Sequence, residues 1–230
     1  EYAAIAEQLL ERMSTAAEHD PSLAPDSYTY AAVINVLGRS DNVDKAERVL
    51  RILNKMVLTI QPTTAAEKSS SGTSNKNKKK TSSSSASAAG LRPTTHVFNA
   101  ALNACAFSRY DINAKMDAFV ITVAILVMLQ QYVTADEVTY GTVLRACSNL
   151  LPKSDPRRDD LVHKVFSKAR QEGHVSDMVL TQLKFAASAP MLQELVGIDK
   201  DLEVTMDDLP KEWTRKAKRP RRRNMNRWTY

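Results

Sequence analysis

Residues 137–149 read EVTYGTVLRACSN, and residues 96–107 read HVFNAALNACAF. Set in register, Val138, Thr139, Tyr140 and Gly141 fall on His96, Val97, Phe98 and Asn99, and Ala146–Cys147 falls on Ala104–Cys105. A third stretch, Tyr28-Thr29-Tyr30-Ala31-Ala32-Val33-Ile34, opens the same way. With Ala31, Asn99, Gly141 and Gln182 taken as equivalent, the intervals are 68, 42 and 41 residues. Residues 61–90, QPTTAAEKSSSGTSNKNKKKTSSSSASAAG, supply no core and read as a disordered insertion. Without them the first interval falls to the upper thirties. A unit of that length, recurring, is the sequence sign of stacked helix pairs, none of which can bury its apolar face alone.

The rest of the chain agrees with helices. Good helix formers dominate its 230 residues, aromatics are 6%, only 6 residues are glycine, and no segment alternates as a strand does. The pattern predicts helices at about 2–17, 27–38, 43–56, 95–107, 114–132, 137–150, 158–172 and 176–188, with a short one within 190–209. The tail from Asp208 shows no apolar period. In the third helix, Asp44, Lys45, Glu47 and Arg48 read as a solvated face. The longest apolar run, Phe119–Leu129, is 11 residues. A membrane span needs roughly 20, so a buried helix is expected and no membrane partner. Cys105 and Cys147 lie in apolar helical runs, which points to reduced core thiols. The chain opens at Glu1 in mid-helix and reads as part of a longer protein, with any targeting peptide outside it.

Charge is uneven. Residues 211–230 hold nine Lys or Arg against the single acid Glu212, a net +8, so the remainder carries −2 of the +6 total. His19, His96, His163 and His174 are scattered. No metal-ligand spacing, glycine-rich phosphate loop or catalytic constellation is present, so neither an enzyme, a cofactor nor a small-molecule substrate is expected.

Residues 27–50, SYTYAAVINVLGRSDNVDKAERVL, together with HVFNAALNACAFS and EVTYGTVLRACSN, resemble the pentatricopeptide repeat, a 35-residue helical hairpin of organellar RNA-binding proteins. Pro25–Asp26, Arg92-Pro93-Thr94 and Thr134-Ala135-Asp136 stand where that repeat ends. Half a repeat and a first full one fill 1–60, further repeats fill 91–190, and 191–230 forms a post-repeat segment and basic tail. Leu209-Pro210-Lys211-Glu212-Trp213 resembles the phrase found after the last repeat in plant and algal members. The resemblance implies an all-α, right-handed α-solenoid of stacked antiparallel helix pairs. The second and third units, at 42 and 41 residues, exceed the usual length, and the excess is expected between their helices, splaying them. The tetratricopeptide repeat, with its Trp-Leu-Gly-Tyr signature, is not matched.

In the family, one residue of each repeat's first helix reads a base together with the last residue of the repeat. Carried over, the pairs are Ala31 with Thr94, Asn99 with Asp136, and Gly141 with Asp177. Asp26 would close a preceding repeat and Gln182 would open a degenerate one. Tyr28, His96 and Val138 take the base-wedging place. Asn99 with Asp136 is the family's pair for uracil, since an amide offers a donor and an acceptor to a base edge. Ala31 and Gly141 offer neither. Asp26, Asp136 and Asp177 equally suit helix N-terminal caps.

In the tail, Lys216, Lys218, Arg219, Arg221, Arg222, Arg223, Arg227 and Trp228 suit phosphate neutralisation and base stacking, with a nuclear-import signal as the competing reading. Two functions are in play. One is a single-stranded RNA binder in organellar RNA processing, stability or translation, in a mitochondrion or plastid. The other is a protein-interaction scaffold, for example a subunit of a large ribonucleoprotein such as an organellar ribosome. Under one base per repeat, three repeats address about three bases, so further repeats or partners are required.

Overall fold

The computed structural model describes residues 1–60, 91–109, 111–197 and 205–218. The insertion at 61–90 lies outside them, as do Arg219, Arg221, Arg222, Arg223, Arg227 and Trp228. The protein is all-α, with no strand among the described residues. Its helices are α1 (Tyr2–Ala16), α2 (Ser27–Arg39), α3 (Lys45–Ile60), α4 (Thr95–Ala106), α5 (Ile112–Tyr132), α6 (Glu137–Leu150), α7 (Pro156–Glu172), α8 (Asp177–Ala186), α9 (Ala189–Val196) and α10 (Lys211–Thr214).

Local chemistry starts and stops these helices. Asp26, Thr94, Asp111, Asp136, Asp155 and Ser176 each accept a hydrogen bond from a first-turn backbone N–H, satisfying donors that have no intrahelical partner. Gly173 ends α7 with φ at +80°, the left-handed conformation that costs a glycine least.

The helices α2, α4, α6 and α8 pack in succession, each on the next, and α3, α5 and α7 lie against them. At the α2–α4 contact a Cβ on Gly38 would lie 3.0 Å from the Ala104 Cβ. Two small residues therefore let the helices approach closely. The repeated apolar positions form the core: Ile34 and Leu37, Leu102 and Cys105, and Leu144 and Cys147 are all buried, and α8 adds Leu180 and Leu183 from other positions. Burying a Leu or Ile contributes about 1.5–3 kcal/mol, so this seam is the main source of stability.

Several expectations need correction. The links within the pairs, 40–44, 107–111 and 151–155, are equal at five residues each. The extra length of the second unit instead lies in α5, which has 21 residues, and in the third unit α7 has 17. α5 is also longer than its apolar run, and by length and composition alone it could cross a membrane. One face, with Phe119, Ile121, Ile125 and Leu129, is buried; Val120 and Val127 on the other are 59% and 53% exposed.

The solvated face expected on α3 is in part a set of tertiary ties. Lys45 is buried and its Nζ donates to the Phe107 carbonyl at 2.9 Å and the Ser40 carbonyl at 3.4 Å, bridging the ends of α2 and α4. Arg48 Nε donates to Glu7 Oε1 of α1 at 3.0 Å. The predicted starts of the seventh and eighth helices shift as well. Pro156 takes the first turn of α7, where its missing N–H costs nothing. Ser176 caps α8, so Asp177 lies inside the helix.

Candidate nucleic-acid interface

Asn99 and Asp136, 37 residues apart in sequence, meet. Asn99 Nδ2 donates to Asp136 Oδ1 at 3.0 Å, and the Thr139 hydroxyl lies 2.7 Å from Asn99 Oδ1 and 2.9 Å from Asp136 Oδ1. Thr139 is fully buried, and its backbone N–H donates to Asp136 Oδ1 at 2.9 Å. In return Asp136 N–H donates to the Thr139 hydroxyl at 3.2 Å, completing a capping box at the start of α6. Asp136 is thus both helix cap and partner of Asn99. Burial works against its charge, but the Thr139 N–H, the Asn99 amide, the Thr139 hydroxyl and the Lys218 charge together hold its pKa below the usual carboxylate value.

Asn99 itself is 9% exposed. The network uses one of its two amide hydrogens and one of the two lone pairs on its carbonyl oxygen, leaving one donor and one acceptor site for a further partner. The two bonds fix the orientation of the amide.

The other expected readers differ. Ala31 is buried beside Tyr30, and Thr94 is the α4 cap, accepting from Val97 N–H at 3.4 Å. Gly141 faces Met178, whose Cε would lie 2.9 Å from a Cβ at that position. Asp177 does not meet Gly141 by hydrogen bond; its Oδ1 accepts from Met206 N–H at 2.8 Å. Gln182 is 9% exposed and its Oε1 accepts from Arg145 Nε at 3.2 Å, while the Arg145 guanidinium lies 5.4 Å from the Phe107 ring centroid. Asp26 caps α2, accepting from Thr29 N–H at 2.8 Å, and the bonds from Thr29 hold its pKa down.

Tyr28, His96 and Val138 are exposed, at the same place on α2, α4 and α6. The Tyr28 and His96 ring centroids are 6.5 Å apart with planes tilted by 43°.

Of the tail, Lys216 and Lys218 are exposed. The described part of the tail from Asp208 carries only two large apolar side chains, Leu209 and Trp213, and it is nonetheless packed on the body. Met206 and Leu209 are buried, and Trp213 lies edge-on to Phe166 at 6.2 Å and under the Arg170 guanidinium at 4.9 Å.

Cys105 and Cys147 are buried free thiols. Among the described residues no group of three or more His, Cys, Asp or Glu side chains converges. No protein-family model matches the chain, and neither a curated protein nor a solved structure matches it.

Proposed function

We propose that this chain binds single-stranded RNA as a right-handed α-solenoid of pentatricopeptide type, with α2–α3, α4–α5 and α6–α7 as antiparallel pairs. The observation that carries the reading is the Asn99–Asp136–Thr139 network, which joins one unit to the next and fixes the orientation of a largely buried amide that keeps one donor and one acceptor site. The position after the aromatic of one unit is tied there to the last residue of that unit. The exposed Tyr28, His96 and Val138 along the same edge support base wedging beside it. The pairing of helix ends is supported by Phe98 stacking on Tyr132 at 6.4 Å and by the Tyr140 hydroxyl donating to Glu172 at 2.6 Å. Each contact puts the start of a first helix beside the end of its second.

Under this reading Asn99 recognises uracil, Ala31 and Gly141 contribute shape alone, and the basic tail adds salt-dependent affinity. The organellar setting, in RNA processing, stability or translation, belongs to the same proposal. A target site of more than about three bases would need further repeats or partners.

A second reading, a scaffold within a ribonucleoprotein, is favoured by a different observation: the exposed apolar side of α5, with Val120 and Val127, suits a protein contact. Binding of labelled oligouridylate and oligoadenylate, with and without residues 219–230, separates the two. The RNA reading expects the shortened chain to keep a preference for oligouridylate. If all binding disappears with those residues, the repeats do not read bases.

A further inference from the structure

The C-terminal segment does not leave the helical body at α9. Residues 206–218 return across the α7–α8 turn and are tied to it by backbone. Val175 N–H donates to the Trp213 carbonyl at 2.9 Å, and Lys216 N–H donates to the Gly173 carbonyl at 2.8 Å. Arg215 Nη2 reaches the Gln171 carbonyl at 3.1 Å, and Met206 N–H donates to Asp177 at 2.8 Å. Trp213 anchors the middle, held between Phe166 and Arg170.

Lys216, near the end of this strap, lines a cleft whose other walls include Thr134, Asp136, Tyr140, Lys168 and Glu172. Lys218 lies close enough to Asp136 for its charge to act on that carboxylate. The acids in the cleft already have partners: Asp136 holds Asn99 and Thr139, and Glu172 accepts from the Tyr140 hydroxyl. Glu137 lies at 3.7 Å from His174 Nδ1. Lys168, Lys216 and Lys218 are exposed, and they set positive charge beside Asp136, the carboxylate that holds the Asn99 amide.

We propose that the strap makes Lys216, Lys218 and the Asn99 network one composite site: Asn99 takes the base of a nucleotide, and the two lysines take the flanking phosphates. This rests on the single-stranded RNA reading above. It departs from a loose basic tail in one respect, since the lysines act by position as well as by charge, and Trp213 supplies the position.

The test uses the full chain and a labelled oligouridylate, titrated across a salt series. Lys216→Gln with Lys218→Gln alters only exposed side chains, and should lower the salt slope by about 0.7 for each phosphate no longer neutralised, about 1.4 in all. Trp213→Ala keeps every charge and releases the strap, and should give a comparable drop in slope together with weaker preference for uridylate over adenylate. Lys211→Gln, a charge control away from the cleft, should leave the uridylate preference intact. An unchanged slope and preference in Trp213→Ala would overturn the proposal, because a tethered tail would then suffice. Tighter binding by Trp213→Ala would also overturn it, by making the strap a lid. Failure of the unaltered chain to bind either oligonucleotide would remove the RNA reading itself, a different result from failure of the strap.

Discussion

Replacing Thr139 by valine removes one oxygen from the centre of the site while keeping the shape of the side chain. That hydroxyl is placed to donate to Asn99 Oδ1 at 2.7 Å and to accept from Asp136 N–H at 3.2 Å. Its loss leaves an amide oxygen and a backbone donor without those partners, in a position that is itself fully buried. An orphaned buried polar group costs about 1–3 kcal/mol. Asp136 is partly exposed and keeps the Thr139 N–H and the Asn99 amide. Water therefore recovers part of the cost, and the net loss should be about 2 kcal/mol. For a chain of this size that corresponds to roughly 4–8 °C in Tm, measured by circular dichroism at pH 7.

The same substitution has a pH signature. Asp136 has its folded pKa depressed, so its contribution is present above the unfolded value of about 3.9 and is lost as pH falls through the folded one. The one hydroxyl proton is shared between Asn99 Oδ1 and Asp136 Oδ1, and its share on Asp136 adds to that depression, so the stability gap between Thr139→Val and the unaltered chain should narrow slightly below about pH 4. The variant should also lower uridylate preference without touching RNA directly, because Asn99 is then oriented by one bond in place of two. A stability change under about 0.5 kcal/mol at pH 7 would refute this account of the network, given the size of the orphaning cost.

Two further predictions concern the body. Arg158 is buried and donates to three carbonyls, Ala186 at 2.9 Å, Leu151 at 3.0 Å and Phe185 at 2.8 Å; Arg158→Met should cost about 3–5 kcal/mol in urea unfolding by stranding them. Cys105 and Cys147 have their thiols pushed up to about 12 by burial, so neither should react with a disulfide reagent at pH 8 in the native chain, and both should react in denaturant.

How much of the fold and site the sequence discloses depends on the range of the interaction. The helices from Ser27 and Glu137 are legible because their signals are local: Asp26 and Asp136 cap them, and apolar residues recur along one face. The meeting of Asn99 with Asp136 is legible only when the three similar stretches are set in register. Thr139 escapes that comparison, although Asp136-Glu137-Val138-Thr139 carries the spacing of a capping box with threonine in the third helical position. Lys45 and Arg158 are not legible at all. Nothing local distinguishes a solvated cation from one that caps the carbonyls of a distant helix, since the partners are supplied by packing. Excess length in the second and third units is expected in loops because long loops tolerate insertion cheaply. The chain instead extends α5 and α7, whose added turns keep their backbone hydrogen bonds.

The most direct test of base reading compares the unaltered chain with Asn99→Ala on short RNAs that differ by one uracil-to-adenine change, at fixed salt. If the network reads a base, the unaltered chain should favour the uracil RNA by roughly 1–2 kcal/mol, about 5- to 30-fold, and Asn99→Ala should bind both equally. Equal discrimination by the two proteins, with Asn99→Ala folded, would contradict the claim that Asn99 recognises the base.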